Sequence, residues 1–69
     1  MAISARNQLK GKITEIILGD IMAHVTVRVG QSLIESVITR KSATELKLKK
    51  GDTVNVVVKA TEVMIARPD

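Results

Sequence analysis

Two short segments carry the donors that an anion needs. Ser4-Ala5-Arg6-Asn7 places a hydroxyl, consecutive backbone amides and a guanidinium within three residues, just ahead of the first apolar-periodic run. Turned toward an anion, these groups act only as donors, and together they can surround a tetrahedral oxyanion. The same residues also suit a polar terminus that does no more than precede a strand. Near the other end, Lys59-Ala60-Thr61 follows Val56-Val57-Val58 directly. A lysine there fits two roles. It is either an edge-strand charge that discourages aggregation or an ammonium aimed at a bound anion, with the amides of Ala60 and Thr61 beside it.

Other chemistry is scarce. The 69 residues include one histidine, no cysteine and no Phe, Trp or Tyr. Disulfides and thiolate sites are excluded, and one imidazole does not build a histidine site, so no metal bound directly by protein groups is expected. His24 falls on the polar-leaning side of its run and reads as incidental. Met1, Met22 and Met64 form no stripe, and the four glycines are scattered at turns rather than gathered in a phosphate loop. No Ser/His/Asp arrangement or nucleophile motif is present, so neither an enzyme nor a cofactor is expected. Arg40-Lys41 and Lys47, Lys49 and Lys50 read as a solvated basic face, or alternatively as phosphate contacts to nucleic acid.

The elements that must position the two donor segments are strands. Val, Ile and Thr supply 23 of 69 residues, in runs bounded by glycine. Leu9–Leu18 reads as a long first strand whose period shifts near Ile16-Ile17-Leu18, the mark of a bulge. Gly19-Asp20 reads as a two-residue turn. Over Ile21–Val29 the residues Ala23, Val25, Val27 and Val29 alternate with Met22, His24, Thr26 and Arg28. Gly30-Gln31 is a second turn and Ser32–Thr39 a third strand. Ser42-Ala43-Thr44-Glu45 matches a capping box opening a short helix. Thr53–Ala60 is apolar on both faces, and a last strand over Glu62–Ala66 ends before Pro68. The expected fold is all-β with one short helix, a small five-stranded barrel of the oligonucleotide-binding (OB-like) type, in one domain spanning 1–69.

So small a chain, with an aliphatic core and no staples, is expected to associate with copies of itself. A partner subunit would cover the outer side of the valine-rich strand. The formal charge of +4, from eleven Lys and Arg against seven Asp and Glu, favours an anionic partner. No apolar run approaches the roughly 18 residues that span a bilayer. The first residues lack a secretory pattern, so a cytoplasmic location without a membrane partner is expected.

The run Ser4-Ala5-Arg6-Asn7-Gln8-Leu9-Lys10-Gly11-Lys12-Ile13 resembles the opening signature of molbindins, the Mop domains of the TOBE class. Val56-Val57-Val58-Lys59-Ala60-Thr61-Glu62-Val63-Met64-Ile65 is similar to their second signature, and the turn from Leu46 to Asp52 also fits. The resemblance implies a free-standing protein that binds molybdate and tungstate at subunit interfaces for molybdenum storage or homeostasis. It implies hexamers, trimers of dimers tied by strand exchange. It implies a site made by Ser4, Ala5 and Arg6 of one subunit with Lys59 and Ala60 of its neighbour, Thr61 following. Some members carry serine where this chain has Ala60, so the amide is kept and one hydroxyl is lost. A second class of sites near the three-fold axes is also implied. The alternative is a small basic OB-like nucleic-acid-binding protein. Such barrels stack bases on aromatic side chains, which this chain lacks, so nucleic acid is not the expected partner.

Overall fold

The computed structural model describes residues 6–68. Four strands, β1 (Asn7–Leu18), β2 (Met22–Val29), β3 (Ser32–Thr39) and β4 (Thr53–Val58), form one antiparallel sheet in the order β3-β2-β1-β4. Helix α1 (Arg40–Glu45) lies between β3 and β4, and a 3-10 turn (Ala60–Glu62) follows β4.

β1 serves two partners in succession. Asn7 to Lys12 pair with β4, and Lys12 to Leu18 pair with β2. The handover depends on Gly11. A Cβ at that position would lie 2.5 Å from the Arg28 carbonyl oxygen, 2.7 Å from Val27 Cγ1 and 2.9 Å from Val29 Cγ2. Only glycine lets the strand pass this close to β2. Just beyond, the register jumps from Ile13↔Val27 to Glu15↔Thr26, which leaves Thr14 as an extra residue. The bulge expected near Ile16 to Leu18 therefore originates at Thr14, where the Oγ1 hydroxyl donates to the Thr26 carbonyl at 3.3 Å. One extra residue exchanges the faces of everything after it. Ile13 and Ile16 consequently both reach the core while Glu15 stays exposed.

The core is the concave face of this sheet. Ile13, 2% exposed, packs with Val25 and Val27, and Ile16, Val29, Ile38, Leu48, Val54 and Val56 surround them. The alternation read in β2 holds: Ala23, Val25 and Val27 are buried, while Met22 and Arg28 are exposed. Gly30 opens the β2–β3 turn at φ +61, the positive value a two-residue turn with glycine first requires. The β1–β2 turn sits one residue later than expected. Gly19 N donates to the Met22 carbonyl at 2.8 Å, so Asp20-Ile21 form its centre.

The helix begins earlier than a capping box at Ser42 would place it. Thr39 ends β3 in extended conformation, and its hydroxyl oxygen accepts from Ser42 N at 3.0 Å. A strand-end hydroxyl already beside the first free amides makes a cap at Ser42 unnecessary. The helix ends in a paired closure: Leu48 N donates to the Ala43 carbonyl at 3.1 Å and Lys47 N to that of Thr44 at 3.0 Å. This is the Schellman arrangement, whose left-handed position normally holds glycine. Here Lys47 occupies it at φ +54. The next turn is fastened to β1, because Ile13 N donates to the Asp52 carbonyl at 2.9 Å and Gly51 N to that of Ile13 at 2.8 Å.

Two expectations are corrected at the C-terminal end. β4 stops at Val58 rather than Ala60, because Ala60 enters the 3-10 turn. The strand expected over Glu62–Ala66 is not formed, and the five-stranded barrel is replaced by an open four-stranded sheet among the described residues. A strand needs a neighbour for its amides and carbonyls, and among the described residues no strand pairs with this run. Val63, Met64 and Ile65 are left exposed, the last two at 91%.

Two substitutions test this account. Gly11→Ala forces a methyl group into backbone and should lower the free energy of unfolding by about 1–3 kcal/mol. Lys47→Gly relieves a left-handed lysine and should raise it by about 0.5–1 kcal/mol. Urea unfolding followed by far-ultraviolet circular dichroism reads both; opposite signs would refute the local accounts.

Candidate functional site

The donor segments from the two ends of the chain meet at one end of the sheet. The β1–β4 ladder closes on the rung Asn7↔Val58. Asn7 reinforces it, its side-chain amide Nδ2 donating to the Val58 carbonyl at 3.2 Å. Arg6 and Lys59 each lie one residue beyond that rung and are exposed, so a guanidinium and an ammonium flank the same strand ends within one chain. Ser4 and Ala5 lie outside the described residues.

Beyond Lys59 the backbone bends at once. Lys59 is extended at φ −66 and ψ 141, and the 3-10 turn closes through Glu62 N to the Lys59 carbonyl at 2.9 Å and Val63 N to that of Ala60 at 3.4 Å. The turn thus uses the amides of Glu62 and Val63 and not those of Ala60 and Thr61, as the start of any helical turn must. Ala60 and Thr61 are exposed, as is Glu62. Among the described residues the ion-pair contact is elsewhere, so no carboxylate neutralises Arg6 or Lys59. Two cations that no described carboxylate neutralises, beside a bending backbone, form a donor-rich end suited to an anion. In water each such contact is weak, and it gains strength as surrounding surface excludes solvent.

The remaining candidates separate from this end. Arg40, read in the sequence as part of a solvated basic face, has a structural role: Nη1 donates to the Gly19 carbonyl at 3.0 Å, and its backbone N to that of Ile21 at 2.7 Å. It ties the helix start to the first turn. Lys41, Lys47, Lys49 and Lys50 are exposed, as expected. His24 lies on the outer face with Nε2 2.8 Å from Glu35 Oε1, an approach that is close but off the line of a ring N–H hydrogen bond. No group of three or more His, Asp or Glu able to hold a metal occurs among the described residues. Among the described residues no helix is long and apolar enough to cross a membrane. Sequence reasoning missed the part played by Asn7. The available signal was an asparagine at the head of a strand, where a side-chain amide can extend the ladder by one bond.

An antiparallel sheet on a shared first strand, with one capped helical turn leading into the last strand, defines a small β domain whose donors gather where the chain ends meet. The chain belongs to the TOBE domain family, whose pattern matches residues 3–65. It is 46% identical over 66 residues to molybdenum-pterin-binding protein 1 of Clostridium pasteurianum, covering 94% of this chain and 97% of that protein. A molybdate-binding protein from Sporomusa ovata superposes with a TM-score of 0.93 at 36% identity, over 97% of this chain and all of that one. The cytoplasmic molybdate-binding protein ModG, in a form with molybdate bound, superposes with a TM-score of 0.82 at 38% identity, over 87% of this chain and 43% of that one. These relatives bear out the resemblance to the molbindins.

Asn7→Ala should remove the side-chain rung and loosen the donor-rich end alone. Amide hydrogen exchange near Val58 and Lys59 should accelerate about fivefold, the equivalent of a hydrogen bond worth about 1 kcal/mol. Protection in β2 and β3 should stay unchanged; uniform acceleration would show that the bond supports the whole sheet instead.

Proposed function

We propose that this protein binds molybdate reversibly and without chemical conversion, using Ser4, Ala5 and Arg6 together with Lys59, Ala60 and Thr61. The observation that carries the reading is the convergence of Arg6 and Lys59 at the last rung of the β1–β4 ladder, in a chain similar over nearly its whole length to a molybdate-binding protein. Recognition of the dianion rests on charge-assisted hydrogen bonds, each worth roughly 1.5–3 kcal/mol net. Tungstate, a tetrahedral dianion of the same kind, is expected to bind as well. The role we assign is intracellular molybdenum storage or homeostasis, in the cytoplasm as for ModG, with 1–69 acting as one domain.

We further propose that the site is completed between subunits of a hexamer, a trimer of dimers joined by exchange of the C-terminal segment. The exposed area supports association: 5918 Å², against about 4,200 Å² for a folded monomer of this mass. Val63, Met64 and Ile65 lack cover. A concavity of about 210 Å³, lined in part by Ile13, Val25, Val27, Ile38, Val54 and Val56, opens over the core. Burial of the anion against a second chain would strengthen each contact and make both cations necessary. A site formed within one chain is the second reading, favoured by the register that sets Arg6 beside Lys59.

One experiment tests both. Arg6→Ala and Lys59→Ala should each weaken molybdate binding about tenfold or more in calorimetric titration, whereas Lys41→Ala should leave it nearly unchanged. Equal losses in all three would indicate diffuse attraction and no formed site. The two weak variants are then unfolded, mixed and refolded, with hybrid formation checked by native mass spectrometry. A site between subunits returns a tight-binding fraction absent from both parents. A site within one chain returns none.

A further inference from the structure

Lys12 on β1 and Arg28 on β2 are direct cross-strand partners. Like charges placed opposite one another repel, and a sheet normally avoids them. A third cation comes from the turn before β4, which its two backbone hydrogen bonds to Ile13 hold against β1. Lys12, Arg28 and Lys50 line one concavity of about 480 Å³ together with Ile13, Thr14 and Gly51, and no carboxylate lines it. Lys10, two residues before Lys12 in β1, extends the positive charge along the same face. The Asp52 carboxylate, next to Gly51, accepts from Lys49 N through Oδ2 at 3.0 Å, and the carboxylates nearest to Arg28 by register are Glu15 and Glu35. Glu35 lies against His24, and among the described residues neither forms an ion pair with these cations.

This cluster is separate from the donor-rich end. Arg6 and Lys12 lie six residue steps apart along the extended strand, a distance of about 20 Å. A single tetrahedral dianion offsets two positive charges at most, whereas a diphosphate carries about three negative charges over two adjoining tetrahedral groups. The guanidinium fork of Arg28 suits two oxygens at once, and the two ammonium groups act as movable point charges beside it.

We infer that Lys12, Arg28 and Lys50 form a second anion site that takes a diphosphate group, supplied either as free pyrophosphate or as the end of a nucleoside diphosphate. The site accounts for a like-charge pair that otherwise only destabilises the sheet. It stands independently of molybdate binding at the chain ends.

The test uses the full chain at low ionic strength, with calorimetric titration of pyrophosphate, orthophosphate and ADP, and thermal unfolding in each. Pyrophosphate should bind and raise the unfolding temperature, because a ligand of the folded state alone shifts the equilibrium toward it. Orthophosphate should bind about tenfold more weakly or worse. Lys12→Gln and Arg28→Gln should each weaken pyrophosphate binding about tenfold or more and leave molybdate titration unchanged. Lys41→Gln, which removes the same charge elsewhere, should have little effect. ADP binding as tightly as pyrophosphate would identify a nucleotide as the source, and failure of ADP alone would identify the free ion; both support the site. Absence of pyrophosphate binding, equal affinity for orthophosphate, or an equal loss in Lys41→Gln would overturn it.

Discussion

β1 must leave one partner and take another within a few residues, and the rest of the molecule follows from how it does so. At Gly11 the strand passes so near the Arg28 carbonyl that no side chain fits. Three residues later Thr14 adds a bulge that rotates the remainder of the strand. Without the first feature β1 could not reach β2 while still paired to β4. Without the second, Glu15 rather than Ile16 would turn toward the core, a position that a carboxylate occupies only at great cost. The pairing of Asn7 with Val58 and the meeting of Lys12 with Arg28 are both set by this single handover.

The core that results is small and wholly aliphatic. A phenylalanine or tryptophan would bury 150–250 Å² in one side chain; here Ile13, Val25 and Val27 must be supplemented by partly exposed neighbours. The sheet consequently has more apolar surface than it has interior. Leu33 and Val37 on β3, Ile17 on β1 and the Val63-Met64-Ile65 segment all face outward. That excess is the physical link between the composition and the association proposed above.

The sequence was most legible where alternation was strict. β2 obeys a two-residue period throughout, so its inward and outward residues could be assigned from sequence alone, whereas β3 carries apolar residues on both faces and its inward side emerged only in the sheet. It was less legible where a decision depended on a neighbour. The helix cap moved to Thr39 because the end of β3 delivers a hydroxyl there, which a local four-residue pattern cannot register. The turn after β1 slid by one residue because the ladder continues through Gly19. The run over Glu62–Ala66 has strand composition but no strand, since composition cannot supply the second ladder that a strand requires. At the donor-rich end the unusual residues were evident as types, and their proximity was not: it arises from a register linking Asn7 to Val58.

That long link also dictates an order of assembly. The turns joining β1 to β2 and β2 to β3 close short loops, whereas the rung from Asn7 to Val58 joins positions 51 apart. Distant contacts carry the larger loop-closure cost and form after local ones have shortened the path. On a ribosome the first half of β1 must therefore wait, unpaired, until β4 has been synthesised. Of the waiting residues, Asn7, Gln8, Lys10 and Lys12 are polar or charged, which discourages capture by a neighbouring nascent chain. The stretch left longest without a partner is thus the one whose composition best tolerates the delay.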